Sequence, residues 1–263
     1  MTGTEPIPYY PPDSLYPFGA GSLQNLNIGL WSYLALEEDE DAGNERFDAT
    51  VADHHFVFAS APYSAQAEGH VHEFSSEFVG TEGLLQSQHE LTFDSIVDPW
   101  AFVGWLYLGT PADDADLFTW KVPNGHSNKA KISYTWDGST LTFRQQVGYF
   151  ADEETEYANE VSITGLTAPL NQWYFVAAAY RGPSILGHPV NNVMMTLRVN
   201  STSVNIPAPC LDAEVPPIHV DQTRRFEIGP LAGRLGPARI YLNRTLSNAD
   251  LDVLYNSGAG LLP

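Results

Sequence analysis

The feature that most constrains the fold of this 263-residue chain is its last stretch, where β-like segments run into one short, well-specified helix. Phe226-Glu227-Ile228-Gly229 reads as a strand, a glycine-rich turn follows, and Ala238-Arg239-Ile240-Tyr241-Leu242 reads as the next strand. Ser247 is then placed to cap a helix, and Asp250 three residues on completes an acidic first turn. Leu251, Leu254 and Tyr255 recur at helical spacing, and Gly258 can supply a left-handed stop. No other segment carries a comparable helical signal. The sequence therefore predicts an all-β chain closed by a single helix.

The rest of the pattern agrees. Leu30 to Leu36, Phe56 to Phe58, Val71 to Phe74 and Leu91 to Phe93 read as short strands divided by polar turns. Ala101 to Leu108 is the most apolar run, as expected of a strand buried on both faces. Ile132 to Trp136 and Thr140 to Val147 flank Asp137-Gly138, the strongest hairpin signal in the chain. Trp173 to Tyr180 follows, and then Val193 to Val199, which turns back through Asn200-Ser201-Thr202. Many short strands with closely spaced turn signals predict a two-sheet antiparallel sandwich or jelly roll. Residues 29–263 read as that one domain. Residues 1–28 read as an extended arm, rich in proline and aromatics; its Tyr9, Tyr10, Tyr16 and Phe18 are suited either to packing along their own domain or to docking on a partner.

Charge narrows the function. Twelve basic residues against 32 acidic ones give a net charge of −20, which repels phosphate backbones and anionic lipid. Nucleic-acid and membrane partners are thus not expected. Cys210 is the single cysteine, so no intrachain disulfide framework exists. The first residues, Met1-Thr2-Gly3-Thr4-Glu5-Pro6, lack the basic and apolar regions of a signal peptide.

Several stations resemble, in order, the laminin-G-like, concanavalin A-like jelly-roll family. Leu30-Trp31-Ser32-Tyr33-Leu34-Ala35-Leu36-Glu37-Glu38 with Arg46-Phe47-Asp48 is similar to the family's opening. Trp100 to Leu108, Asn171 to Ala177 and Met195 to Asn200 resemble three of its strands, and the closing segment completes the set over about residues 28–260. The resemblance implies a structural calcium near Asp48, with Glu37 and Glu38 as helpers. It departs from the family at Gly233-Arg234-Leu235-Gly236-Pro237, where an acidic residue often stands.

Catalytic chemistry has thin support in the sequence. Retaining glycoside hydrolysis needs two carboxyl groups about 5–5.5 Å apart, commonly projected from alternate residues of a strand. Glu37 to Asp41, Asp113 to Asp116 and Glu153 to Glu156 all read as loops without that spacing. His70 and His72 would share one face of a strand, but two histidines alone do not make a metal site. For sugar binding, Trp100, Trp120, Trp136 and Tyr149 are the candidates, each near a loop. No cofactor is expected beyond the calcium that the resemblance implies.

Domains resembling this one occur in bacteriophage virions. The expectation is a non-enzymatic virion-surface protein, either decorating a capsid or associated with a tail. It would form a homo-oligomer, dock on other virion proteins and bind glycans. A carbohydrate-binding adhesin is the alternative, followed by a degenerate glycoside hydrolase.

Overall fold

A computed structural model describes residues 26–36, 45–50, 52, 54–58, 65–71, 74–78, 84–89, 98–109, 114–120, 128–150, 156–167, 170–181, 194–207, 225–229 and 233–260. The first eight strands are β1 (Leu30–Leu34), β2 (Glu45–Arg46), β3 (Phe56–Phe58), β4 (Ala65–Glu68), β5 (Phe74–Glu77), β6 (Leu85–Ser87), β7 (Trp100–Leu108) and β8 (Asp114–Trp120). The next eight are β9 (Asn128–Trp136), β10 (Thr140–Phe150), β11 (Glu156–Thr167), β12 (Gln172–Tyr180), β13 (Met194–Val199), β14 (Thr202–Pro207), β15 (Phe226–Ile228) and β16 (Gly233–Leu242). One α-helix, α1 (Asn248–Tyr255), completes the described elements.

The strands form two antiparallel sheets. The first runs β14-β13-β12-β7-β16-β5-β4, with β1 also paired to β16; the second runs β11-β10-β9-β8-β15-β6-β3-β2. Strands distant in sequence lie side by side, as in a jelly roll. Strand alternation sends Ala130, Ile132 and Tyr134 of β9 into the space between the sheets, while Lys131 points the other way. Phe226 on β15 is a hub of that inner core: its ring lies 4.1 Å from Trp120, 5.2 Å from Phe118 and 5.1 Å from Trp31. Buried Gln145 ties the sheets together by donating from Nε2 to the carbonyl of Ala179 at 3.2 Å.

β7 is the axis of the first sheet. Trp100, Phe102, Leu106 and Leu108 belong to the inner core, whereas Ala101, Val103 and Trp105 belong to a second cluster on the opposite face. That outer face would be wet without a cover, and α1 supplies it. Leu251 and Leu254 pack there with Phe175 and Ala177 of β12, Tyr241 of β16, and Leu26. Burial pushes the Tyr241 hydroxyl above its ordinary value, with Arg239 and Arg244 pulling it partly back. Arg198 on β13 fastens the helix: its Nη1 meets Asp252 Oδ1 at 2.6 Å, and its guanidinium lies 5.2 Å from the Tyr255 ring.

The all-β sandwich with one late helix is as the sequence predicts. The Ser247–Asp250 capping box forms with both hydrogen bonds. The left-handed residue at the helix end is Asn256 at φ 46°, ahead of Gly258, so the asparagine stops the helix. Asp137-Gly138 turns β9 into β10; three hydrogen bonds from Ser139 and Thr140 to Oδ1 hold the Asp137 carboxyl below its ordinary range. The expected strand from Val71 to Phe74 is displaced: β4 ends at Glu68, β5 begins at Phe74, and His70 and Val71 lie in the connection between them. Leu91 to Phe93 lies outside the described residues, as do Tyr9, Tyr10, Tyr16 and Phe18 of the expected arm. The end of that arm at residue 28 is joined to the sandwich, since Leu26 packs in the outer cluster and the Ile28 carbonyl accepts from Arg244 Nη1 at 2.7 Å.

Leu254→Ala should cost about 2–5 kcal/mol, as a large-to-small change at a closed site, and Ser247→Ala about 1 kcal/mol, as a lost cap. Equilibrium urea unfolding of the two variants checks the ranking, with Leu254→Ala the more damaging.

Candidate functional site

α1 covers only part of the outer face of the first sheet. At the end of that face, cross-strand register lines up Trp173 of β12 with Tyr107 of β7, Tyr107 with Arg234 of β16, and Arg234 with Glu77 of β5. All four side chains are partly exposed, so the row meets solvent along its length. With neighbouring strands about 4.8 Å apart, three steps carry it over roughly 14 Å. The Trp173 and Tyr107 rings lie 5.6 Å apart, and the Arg234 guanidinium sits over Tyr107 at 4.8 Å. The row thus offers two aromatic rings, then a planar cation, then a carboxylate.

Two neighbours fix it. His70, exposed in the β4–β5 connection, lies 4.3 Å from the buried Trp105 ring and stacks on Trp173 at 5.9 Å. Its Nε2 is 2.6 Å from the Gly258 carbonyl; a carbonyl only accepts, so Nε2 carries the proton. Beneath the rings, β16 shifts register against β7 between Leu235 and Ala238, a bulge made by Gly236-Pro237. A Cβ on Gly236 would lie 3.2 Å from Trp105 Cβ and 3.2 Å from Cζ3 of Trp173. In this turn, where the resembling family often carries an acid, a side chain at Gly236 would crowd two tryptophans.

The residues singled out in the sequence fall elsewhere. Trp100 and Trp120 are 2% and 0% exposed, in the inner core, and present no ring to a ligand. Trp136 is partly buried and packs against that core. Tyr149 lies on β10 opposite Asn128 and Tyr157, and the description of it stops at the backbone. Of the expected loop at Asp113 to Asp116, Asp114 to Asp116 are strand instead: Asp114 opens β8, and Asp116 pairs with Lys131 at 2.5 Å.

Asp48 is nearly buried and its carboxylate is filled by protein donors. Oδ1 accepts from the backbone N–H of Tyr33 at 2.8 Å and of Thr50 at 2.9 Å. Oδ2 accepts from Thr50 Oγ1 at 2.5 Å and from the His54 N–H at 2.9 Å. A carboxylate has about four lone-pair positions, so Asp48 works as a clasp between β1 and the 47–54 loop. Glu37 and Glu38 lie outside the described residues, and no group of three or more His, Cys, Asp or Glu gathers among the described ones.

Sequence reading passed over Trp173 and Tyr107 because both sit in strands that look wholly buried. One signal was present: each lies at a strand end beside polar or small residues, Asn171-Gln172 and Gly109.

No protein-family model and no curated protein matches this chain. Solved structures do. The binding domain of botulinum neurotoxin DC, in complex with rat synaptotagmin II, aligns with a TM-score of 0.55 at 12% identity, over 87% of this chain and 51% of that one. Botulinum neurotoxin type C, from work describing its cell entry as dependent upon interaction with two ganglioside molecules, aligns with a TM-score of 0.57 at 14% identity, over 90% and 53%. The botulinum neurotoxin serotype D binding domain gives 0.52 at 12%, over 87% and 50%. The chain spans about half the length of these structures. At such identities the likeness is one of fold, a two-sheet antiparallel β-sandwich.

Asp48→Ala, which strands buried donors, should lower stability by more than about 3 kcal/mol. Calcium or a chelator added to the unmodified protein should leave its melting temperature unchanged if Asp48 serves only as a clasp. A calorimetric scan reads both.

Proposed function

We propose that this chain is a glycan-binding module and that the Trp173–Tyr107–Arg234–Glu77 row is its binding face. The observation behind the proposal is the placing of an indole and a phenol side by side on a sheet, with a guanidinium and a carboxylate continuing the line. Pyranose rings present apolar C–H faces that stack on aromatic rings, and hydroxyls that both donate and accept. Rings held by strand pairing, with Trp173 also packed on the outer cluster and stacked with His70, lose little freedom on binding, which favours affinity. The fold is compatible with a binding role: solved structures that share it include a botulinum neurotoxin binding domain in complex with rat synaptotagmin II and a botulinum neurotoxin whose cell entry is described as dependent upon two ganglioside molecules.

We read the role as binding; Asp116, a carboxylate of the Asp113–Asp116 run, is engaged by Lys131. The finer setting, a homo-oligomer on a virion surface docked through the arm at residues 1–28, rests on the family resemblance. Deleting residues 1–20 should then prevent incorporation into particles.

A glycan array probed with the purified chain should give hits, and Trp173→Ala should weaken the strongest of them at least tenfold, about 1.4 kcal/mol. Trp136→Ala should leave the same hits in place. An array with no hits would sink the reading.

A further inference from the structure

The row also indicates what kind of glycan it takes, an inference that rests on the glycan-binding reading above. We propose that the ligand is a neutral glycan whose adjacent hydroxyls bridge Arg234 and Glu77, and that glycans bearing carboxylate or sulfate are disfavoured.

The first argument is local. Arg234 and Glu77 are cross-strand partners, which places their Cβ atoms about 4.5–5.5 Å apart on one face. The guanidinium only donates and the carboxylate only accepts. A hydroxyl does both, so two neighbouring hydroxyls satisfy the pair, one accepting from Arg234 and one donating to Glu77. A sugar carboxylate would gain from Arg234 but would be set beside the like charge of Glu77. The stacking of Arg234 on Tyr107 holds the fork in a fixed plane at 4.8 Å, next to the surface on which the sugar ring would lie.

The second argument is the field of the whole molecule. The chain carries a net charge of −20. Five of its twelve cations are tied up in the described structure: Lys131, Arg198 and Arg244 are engaged by Asp116, Asp252 and Asp250, while Arg46, Arg198 and Arg239 are buried. An anionic glycan therefore approaches against a negative potential, whereas a neutral one feels almost none of it. The repulsion extends over the Debye length, about 10 Å at 0.1 M salt and 30 Å at 0.01 M.

The test uses two matched trisaccharides, neutral 3′-galactosyllactose and anionic 3′-sialyllactose, titrated calorimetrically into the full chain at about 0.01 M and 0.15 M salt. The neutral ligand should bind at least tenfold more tightly at low salt, and the gap should narrow at high salt as repulsion is screened. Glu77→Gln should weaken the neutral ligand and relax the bias against the anionic one. Arg234→Lys, which keeps the charge and loses the planar fork, should weaken neutral binding several-fold. Thermal melts of both variants confirm that they are folded. Equal or tighter binding of the sialylated ligand at low salt overturns the proposal while leaving the glycan-binding reading standing, as does neutral binding indifferent to both variants. Binding of neither sugar, together with a blank array, sinks the reading itself.

Discussion

The rest of the structure depends on the burial of β7 from both sides. A strand with Trp100, Phe102 and Leu106 on one face and Val103 and Trp105 on the other cannot leave either face in water. The second sheet covers the inner face. The outer one needs a separate cover, and the chain supplies it with α1, whose two fully buried leucines land on β7, β12 and β16 together. An eight-residue helix has little stability of its own in water. It exists because the sheet beneath it needs covering, and the Arg198–Asp252 contact and the capping box hold it in one place. The helix is also too short for the whole face. Beyond it, at the end of the strands, Tyr107 and Trp173 stand partly exposed, Trp173 at the margin of the outer cluster.

The scarce basic residues show a second constraint. Arg46 is almost fully buried, lies 5.1 Å from the Phe58 ring and donates from Nε to Ser76 Oγ across the sheets. Arg239 sits over Tyr33 at 4.5 Å and Arg198 over Tyr255 at 5.2 Å. Arginine suits these places because its flat, weakly hydrated cation stacks on rings where an ammonium would demand water. Among the described residues these three arginines place their charge inside the fold, in a chain whose net charge is −20. The same economy gives Arg234 its character, since it too lies on a ring but remains partly exposed in a row of groups able to meet a ligand.

How much of this was legible in the sequence depended on how far local pattern matched tertiary demand. β7, the β9–β10 hairpin and α1 were readable because an apolar run, an Asp-Gly turn and a capping box each impose their structure locally. β4, β8, β11 and β14 were not, because AQAE, DADLFTW, EYANEVSITGLT and TSVNIP are polar or mixed and become strands through their neighbours. The aromatics misled for a related reason. A tryptophan near a loop looks available, yet Trp100 and Trp120 face inward by strand parity, which no single residue reveals. Trp173 looked buried for being in a strand, and it is partly exposed because the helix above the sheet ends before reaching it.

Gly236 joins the fold to the site. In the family that the sequence resembles, this turn often carries an acid suited to calcium. Here the bulge brings the backbone of β16 under Trp105 and Trp173, so that a Cβ on Gly236 would meet each of them tightly at 3.2 Å. A side chain at this position would crowd both tryptophans, and a carboxylate would in addition be desolvated against them. Asp48, the expected calcium ligand, has its lone pairs given over to backbone and hydroxyl donors. Since solved structures at 12–14% identity share the sandwich, the sandwich does not choose the ligand. That choice falls to what one short helix leaves uncovered, and to the glycine that lets two tryptophans lie against the strand beneath them.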